Sequence, residues 1–215
     1  MSPGKSEHPR MKKSDRTRQD ILDATASSLA TVGYTATTVK SIAETIGMQD
    51  ASIYYHFSSK DELVGEVLDI GTARAVTAVD QALAELPDDH DPREALRVAI
   101  IAHAEAVLGG GDYPRANVRT FGQLPPDLTN RHRQGHRNYG QIWTRLIDDG
   151  VESGALRGDL NRSVARLIII GALCWAIEWF DAGEEVSAAD VGEHVFQMVV
   201  NGLSIGEHES PAVSV

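Results

Sequence analysis

Between residues 38 and 57 two short apolar-periodic segments meet across a single glycine, and this restricts the fold more than any other feature of the chain. Thr37 or Thr38 can cap a helix from Val39 to Ile46, which Gly47 closes, and a second helix follows from about Gln49 to Phe57. Ile42, Ala43, Ile46, Ile53 and Phe57 recur at a spacing that lets the two helices interlock. Ala43 is small where they would cross, and Gly47 can take the positive φ of a tight turn. The second helix carries Gln49, Ser52, Tyr54, Tyr55 and His56, a surface of donors, acceptors and flat rings. A merely solvated helix would more often carry Lys and Glu there. The pattern predicts a helix-turn-helix of the size that enters a DNA major groove.

The remainder reads as helix throughout. Ile21, Leu22, Ala24, Ala26, Leu29 and Ala30 give helical spacing from Arg16 to Val32, with Gly33 as a stop. Ser59-Lys60-Asp61-Glu62 has the form of a capping box and opens a helix running through Val67, Ala75 and Leu83 to Pro87. Asp91-Pro92-Arg93-Glu94 starts another, which ends at Gly109-Gly110-Gly111. A short segment from Tyr113 to Gln123 precedes a long polar-faced helix from about Asp127 to Glu152. Two apolar helices close the chain, about 162–180 and 188–203. With no strand alternation, the expectation is an all-α fold of about nine helices. Its parts would be a flexible basic arm at 1–14, a three-helix DNA-reading domain at 15–60, a ligand-binding and dimerisation domain at 61–205 and a disordered tail at 206–215.

The formal charge of −11 looks unsuited to a DNA binder until it is divided. Residues 1–60 hold eight Lys/Arg against six Asp/Glu, a local +2, and residues 61–215 hold twelve against twenty-five, or −13. Phosphate binding depends on the local field, and an acidic body helps turn the basic end toward DNA. One cysteine, Cys174, excludes an internal disulfide. It lies in the longest apolar run, Leu167 to Ile177, which is too short to span a bilayer. The N-terminus lacks the apolar stretch of a signal peptide, so a cytoplasmic location is expected. Gly109-Gly110-Gly111-Asp112 lacks the Lys-Ser/Thr of a phosphate loop, and no nucleophile elbow or carboxylate pair is apparent. An enzyme is not expected, nor is a cofactor or a resident metal.

The stretch Gly33-Tyr34-x-x-Thr37-Thr38-Val39-x-x-Ile42-Ala43, then Gly47-Met48, then Ile53-Tyr54-Tyr55-His56-Phe57-x-x-Lys60-x-x-Leu63 resembles the DNA-binding domain of TetR-family repressors. The likeness covers residues 16–65 without a gap. It implies that Lys40, Asp50, Ala51 and Tyr54 reach base edges, and that Thr38, Ser52, Tyr55, His56 and Lys60 hold phosphates. Gln49 belongs to the same surface. Lys40 is suited to guanine O6/N7 and the Ala51 methyl to thymine. Asp50 departs from the small or polar residue usual there; it can accept from cytosine N4, cap the helix, or do both.

The resemblance also implies that the last two helices pair with their counterparts about a two-fold axis. Their apolar residues exceed what one small core absorbs. Leu167, Ile170, Gly171, Leu173, Cys174, Ile177, Val195 and Val199 are the candidates for that interface. A dimer sets its two reading helices one turn of DNA apart, about 34–36 Å, and so implies a palindromic operator on double-stranded DNA. A small-molecule effector is expected in the body, with His103, Arg119, Phe121, Tyr139, Trp143, Trp175 and Trp179 as candidate lining; core packing explains each tryptophan equally well. The segment from about 142 to 203 resembles regulators that sense acyl-CoA or related lipid and steroid catabolites. Arg131, Arg133 and Arg137, with Arg115 and Arg119, suit a CoA phosphate or another anion, or form a solvated face balancing Asp148, Asp149 and Glu152. His132 and His136 have metal-ligand spacing, but arginines flank them. The open alternatives are a constitutive DNA binder and a metal-responsive one.

Overall fold

The computed structural model describes residues 12–159, 161–183 and 185–203, and among these every regular element is a helix. Helix α1 (Lys13–Ala36) begins inside the expected arm, with Asp15 in its first turn. The rest of that arm and the 206–215 tail lie outside the described residues. Gly33, at φ 76°, bends the last turn of α1 instead of ending it. Buried Thr37 steadies the bend by donating its hydroxyl to Gly33 O at 2.8 Å. Thr38 is therefore the cap of α2 (Val39–Thr45): its Oγ1 accepts from Ser41 N at 3.0 Å, and Ser41 Oγ accepts from Thr38 N at 3.1 Å.

Helix α3 (Asp50–His56) follows the turn at Gly47, whose φ is 66°. Ser59 caps α4 (Lys60–Ala84) by accepting from Glu62 N, while the Glu62 carboxylate reaches one residue further than the expected box and accepts from Ser58 N at 2.6 Å. Asp91 caps α5 (Pro92–Leu108) as the sequence predicts, accepting from Arg93 N at 2.8 Å. Short α6 (Asp112–Arg119) and long α7 (Pro126–Glu152) follow. The predicted 162–180 helix stops earlier: α8 (Arg162–Trp175) tightens into a 3-10 turn (Ala176–Glu178), where Ala176 O accepts from Trp179 N and Phe180 N. This turn takes up carbonyls that a helix end would leave unpaired. Helix α9 (Ala188–Leu203) packs back along α5.

Two apolar cores organise these helices. The first joins α1, α2 and α3 (Ile21, Leu29, Ile42, Ile53 and Phe57) to Leu63, Val67 and Leu68 of α4, Tyr113 and Ala116 of α6, and Leu128 of α7. The second gathers Val79 of α4, Leu96 and Ile100 of α5, Trp143 and Ile147 of α7, Ile169 and Leu173 of α8, and Phe196 of α9. The cut expected between residues 60 and 61 therefore runs through the first core.

Candidate nucleic-acid interface and body cavity

On α3 the 3.6-residue period sends Ile53 and Phe57 inward, each 1% exposed, and turns Gln49, Asp50, Ala51, Tyr54 and Tyr55 to solvent. Ser52 and His56 are half-buried, and the Tyr55 and His56 rings meet edge to face at 5.2 Å. Asp50 is not the cap. Gln49 holds that position without a side-chain bond, and Asp50 opens the first turn, where its charge favours the positive end of the helix. Lys40 stands exposed, with Glu44 at 3.9 Å.

Thr38 and Lys60 both have structural work. Thr38 is occupied by its cap, and Lys60 Nζ donates to Tyr34 O at 2.7 Å while lying 3.9 Å from the centre of the Tyr34 ring. Burial lowers the Lys60 pKa, and the neighbouring Asp61 opposes this. Tyr34 in turn donates to Asp61 Oδ1 at 2.5 Å. Lys60 thus ties the bend at the end of α1 to the start of α4.

The second site lies in the body, where α4, α5, α6, α7 and α8 border a partly open cavity of about 70 Å³. Its walls include Thr72, His103, Asn117, His136, Tyr139 and Cys174. The Tyr139 hydroxyl lies 2.7 Å from His103 Nδ1. Burial pushes His103 down to about 4 and Cys174 up to about 11, so both are uncharged at neutral pH. Among the described residues, three buried side-chain atoms lack a hydrogen-bond partner: His103 Nε2, Asn117 Oδ1 and Trp143 Nε1.

Of the seven lining residues expected from the sequence, His103 and Tyr139 border this cavity. Trp143 is fully buried behind them, its ring centre 5.5 Å from His103. Phe121 is 87% exposed in the turn after α6, and Arg119 pairs with Glu178 at 3.5 Å. Trp175 and Trp179 also point outward, at 67% and 59% exposure, so none of these four lines the cavity. Sequence reasoning missed Thr72, Pro114, Asn117 and Val118. A short helix with one polar residue on its packed side leaves no periodic signal of a cavity.

The face expected to pair with a second copy divides in two. Leu173 and Ile177 are buried in the chain's own core, and Ile170 and Cys174 turn toward the cavity. Leu173 packs among α5, α7 and α9, whereas Ile170 and Cys174 keep part of their surface exposed. Leu167 and Gly171 stay exposed, with Val164, Ile168 and Trp175 at helical spacing beside them. Val195 and Val199 of α9 border an apolar groove of about 300 Å³ with Ile168, Ala172 and Met198. No helix of the described residues is long and apolar enough to cross a membrane.

Comparison with known proteins agrees with both halves. Residues 21–67 match the family "Bacterial regulatory proteins, tetR family", and residues 89–203 match "Tetracyclin repressor-like, C-terminal domain". The HTH-type transcriptional repressor KstR2 of Mycobacterium tuberculosis is 28% identical over 196 residues, covering 87% of this chain and 92% of its own. The HTH-type transcriptional repressor NicS of Pseudomonas putida is 35% identical over 178 residues, covering 77% of each. The crystal structure of AibR in complex with isovaleryl coenzyme A and operator DNA shares the fold, with a TM-score of 0.74 at 18% identity over 84% of this chain and 96% of that one. The chain belongs to the TetR family of helix-turn-helix transcriptional regulators.

Proposed function

We propose that this regulator represses transcription as a homodimer. In this reading the two α3 helices hold a palindromic operator, and a small hydrophobic or acyl-CoA-like molecule in the body cavity releases them. The observation that carries it is the position of α6. Pro114, Asn117 and Val118 border the cavity, while Tyr113 of the same helix donates to Asp23 Oδ1 of α1 at 2.6 Å. A ligand that moves α6 therefore moves the DNA-reading head. Only a ligand with different affinities for the two head positions can do so. The outward apolar stripe of α8 and the groove beside α9 support the dimer. AibR, solved with an acyl-CoA and operator DNA, supports the class of effector. Such a protein works where the DNA is, in the cytoplasm.

DNA retained from a random library tests the reading. Inverted half-sites about ten base pairs apart, centre to centre, are expected, each protected by one protomer. An asymmetric single site overturns the dimeric reading. Release by a compound that alters the environment of His103 supports gating from the cavity. The metal-responsive alternative has a weaker footing: His132 and His136 face each other at 2.7 Å, but among the described residues no group of three or more His, Cys, Asp or Glu could hold a metal ion.

A further inference from the structure

The cavity wall has a definite polarity. The Tyr139 phenol is a stronger acid than an imidazole N–H, so it donates to His103 Nδ1 and leaves the proton of the neutral ring on Nε2. That Nε2–H is one of the atoms without a partner, in a side chain only 3% exposed. Asn117 spends its Nδ2 on Leu68 O at 3.2 Å and Tyr113 O at 3.4 Å, leaving Oδ1 as a lone acceptor. Thr72 has already given its hydroxyl proton to Leu68 O at 3.0 Å. Among the described residues lining the cavity there is no Lys, Arg, Asp or Glu, and Ala75, Val107, Val118 and Ile170 supply apolar wall.

We propose that the cavity takes an uncharged hydroxyl group carried by an apolar molecule, His103 Nε2 donating to the hydroxyl oxygen and Asn117 Oδ1 accepting its proton. The proposal rests on reading this cavity as the effector site. A carbonyl satisfies His103 alone and leaves Asn117 unmatched. A carboxylate brings a charge into a site with no counter-charge, which is the most expensive occupant. At about 70 Å³ the cavity holds only a short group. Thr72 also borders an outer groove of about 320 Å³ between α4 and α7, which includes His132. Thr72 and the His132–His136 contact at 2.7 Å stand between the two spaces, and a chain longer than the cavity has to part that contact to reach the groove.

The test uses the full-length protein with 1-hexanol, 2-hexanone and hexanoate at neutral pH. Binding is followed by the ¹⁵N resonances of the His103 ring, assigned with His103→Gln. The alcohol should bind tightest, the ketone about tenfold more weakly, and hexanoate more weakly still. In Asn117→Leu the alcohol-to-ketone ratio should fall to about one; the wild-type ranking decides the matter even if that variant does not fold. Hexanoate or 2-hexanone binding as tightly as 1-hexanol overturns the hydroxyl assignment and leaves the cavity as effector site. If none of the three shifts His103, both the assignment and the effector cavity fall.

Discussion

The Tyr113 hydroxyl donates to Asp23 Oδ1 at 2.6 Å and accepts from Gln19 Nε2 at 3.0 Å, pinning α6 to α1. The Arg74 guanidinium lies 4.1 Å from the centre of the same ring, so the tyrosine is held from α1 and from α4. Tyr113→Phe keeps the ring and removes the hydroxyl. It should destabilise the fold by about 1–2 kcal/mol and leave operator affinity within about threefold in the absence of effector. The effector concentration needed for release should rise. Anisotropy titrations with labelled operator measure both, and an unchanged release curve would refute the coupling through α6.

Tyr54 is about half exposed on α3, while its neighbour Ile53 is core. Tyr54→Ala should therefore cost specific binding about 1–3 kcal/mol without disturbing the fold. Gel shifts against operator and scrambled DNA, with sedimentation for the dimer, check this. Loss of the dimer would sink the division of roles between α3 and α8.

Ile168 is 61% exposed at the middle of the α8 stripe and borders the groove. Ile168→Glu leaves the chain's own core intact but sets a charge where a second copy would pack, so monomers and a large loss of operator affinity are expected. Light scattering at micromolar concentration reads the mass. A dimer that survives this change would move the interface elsewhere.

His103 makes the fold sensitive to acid. In the unfolded chain it takes a proton near pH 6.5, whereas burial holds its folded value to about 4. Between those values the unfolded state binds more protons, so stability falls as pH drops, by roughly 3 kcal/mol once the window is crossed. His103→Gln should show a shallower loss between pH 6.5 and 4 in urea titrations. Parallel slopes for the two proteins would show that His103 is not held neutral.

Gly71 faces α6 so closely that an added methyl would strike Asn117 Nδ2 and lie 2.8 Å from Tyr113 O. Gly71→Ala should push α6 away from α4 and destabilise by about 1–3 kcal/mol. Chemical denaturation measures it, and a neutral outcome would mean that the contact between the two helices is looser than the distances imply.

The helix-turn-helix geometry was legible because its signals are local. Gly47, the Thr38 cap and the inward Ile53 and Phe57 need only neighbouring residues to be interpreted. The caps Ser59 and Asp91 were legible for the same reason. The cavity was not, because it is made where α6 crosses α4, and Asn117 becomes a wall residue only through packing that sequence period cannot express. The same limit explains Leu173 and Trp175. Both belong to one apolar run, and only the positions of α5 and α7 decide which side of α8 faces inward. Lys60 matched the family's phosphate position in sequence, yet its contact with Tyr34 O depends on the bend at Gly33.

The core that runs from Ile21 and Phe57 into Val67, Tyr113 and Leu128 also bears on how such a protein can be rebuilt. The helix-turn-helix cannot be exchanged as a cassette ending at residue 60, because seven of the sixteen buried residues of its core belong to the rest of the chain. A transplant would have to carry the first turns of α4 and the inner face of α6 as well. A change confined to exposed side chains of α3, such as Tyr54, leaves that core untouched, whereas exchange of a whole head has to rebuild it at the seam.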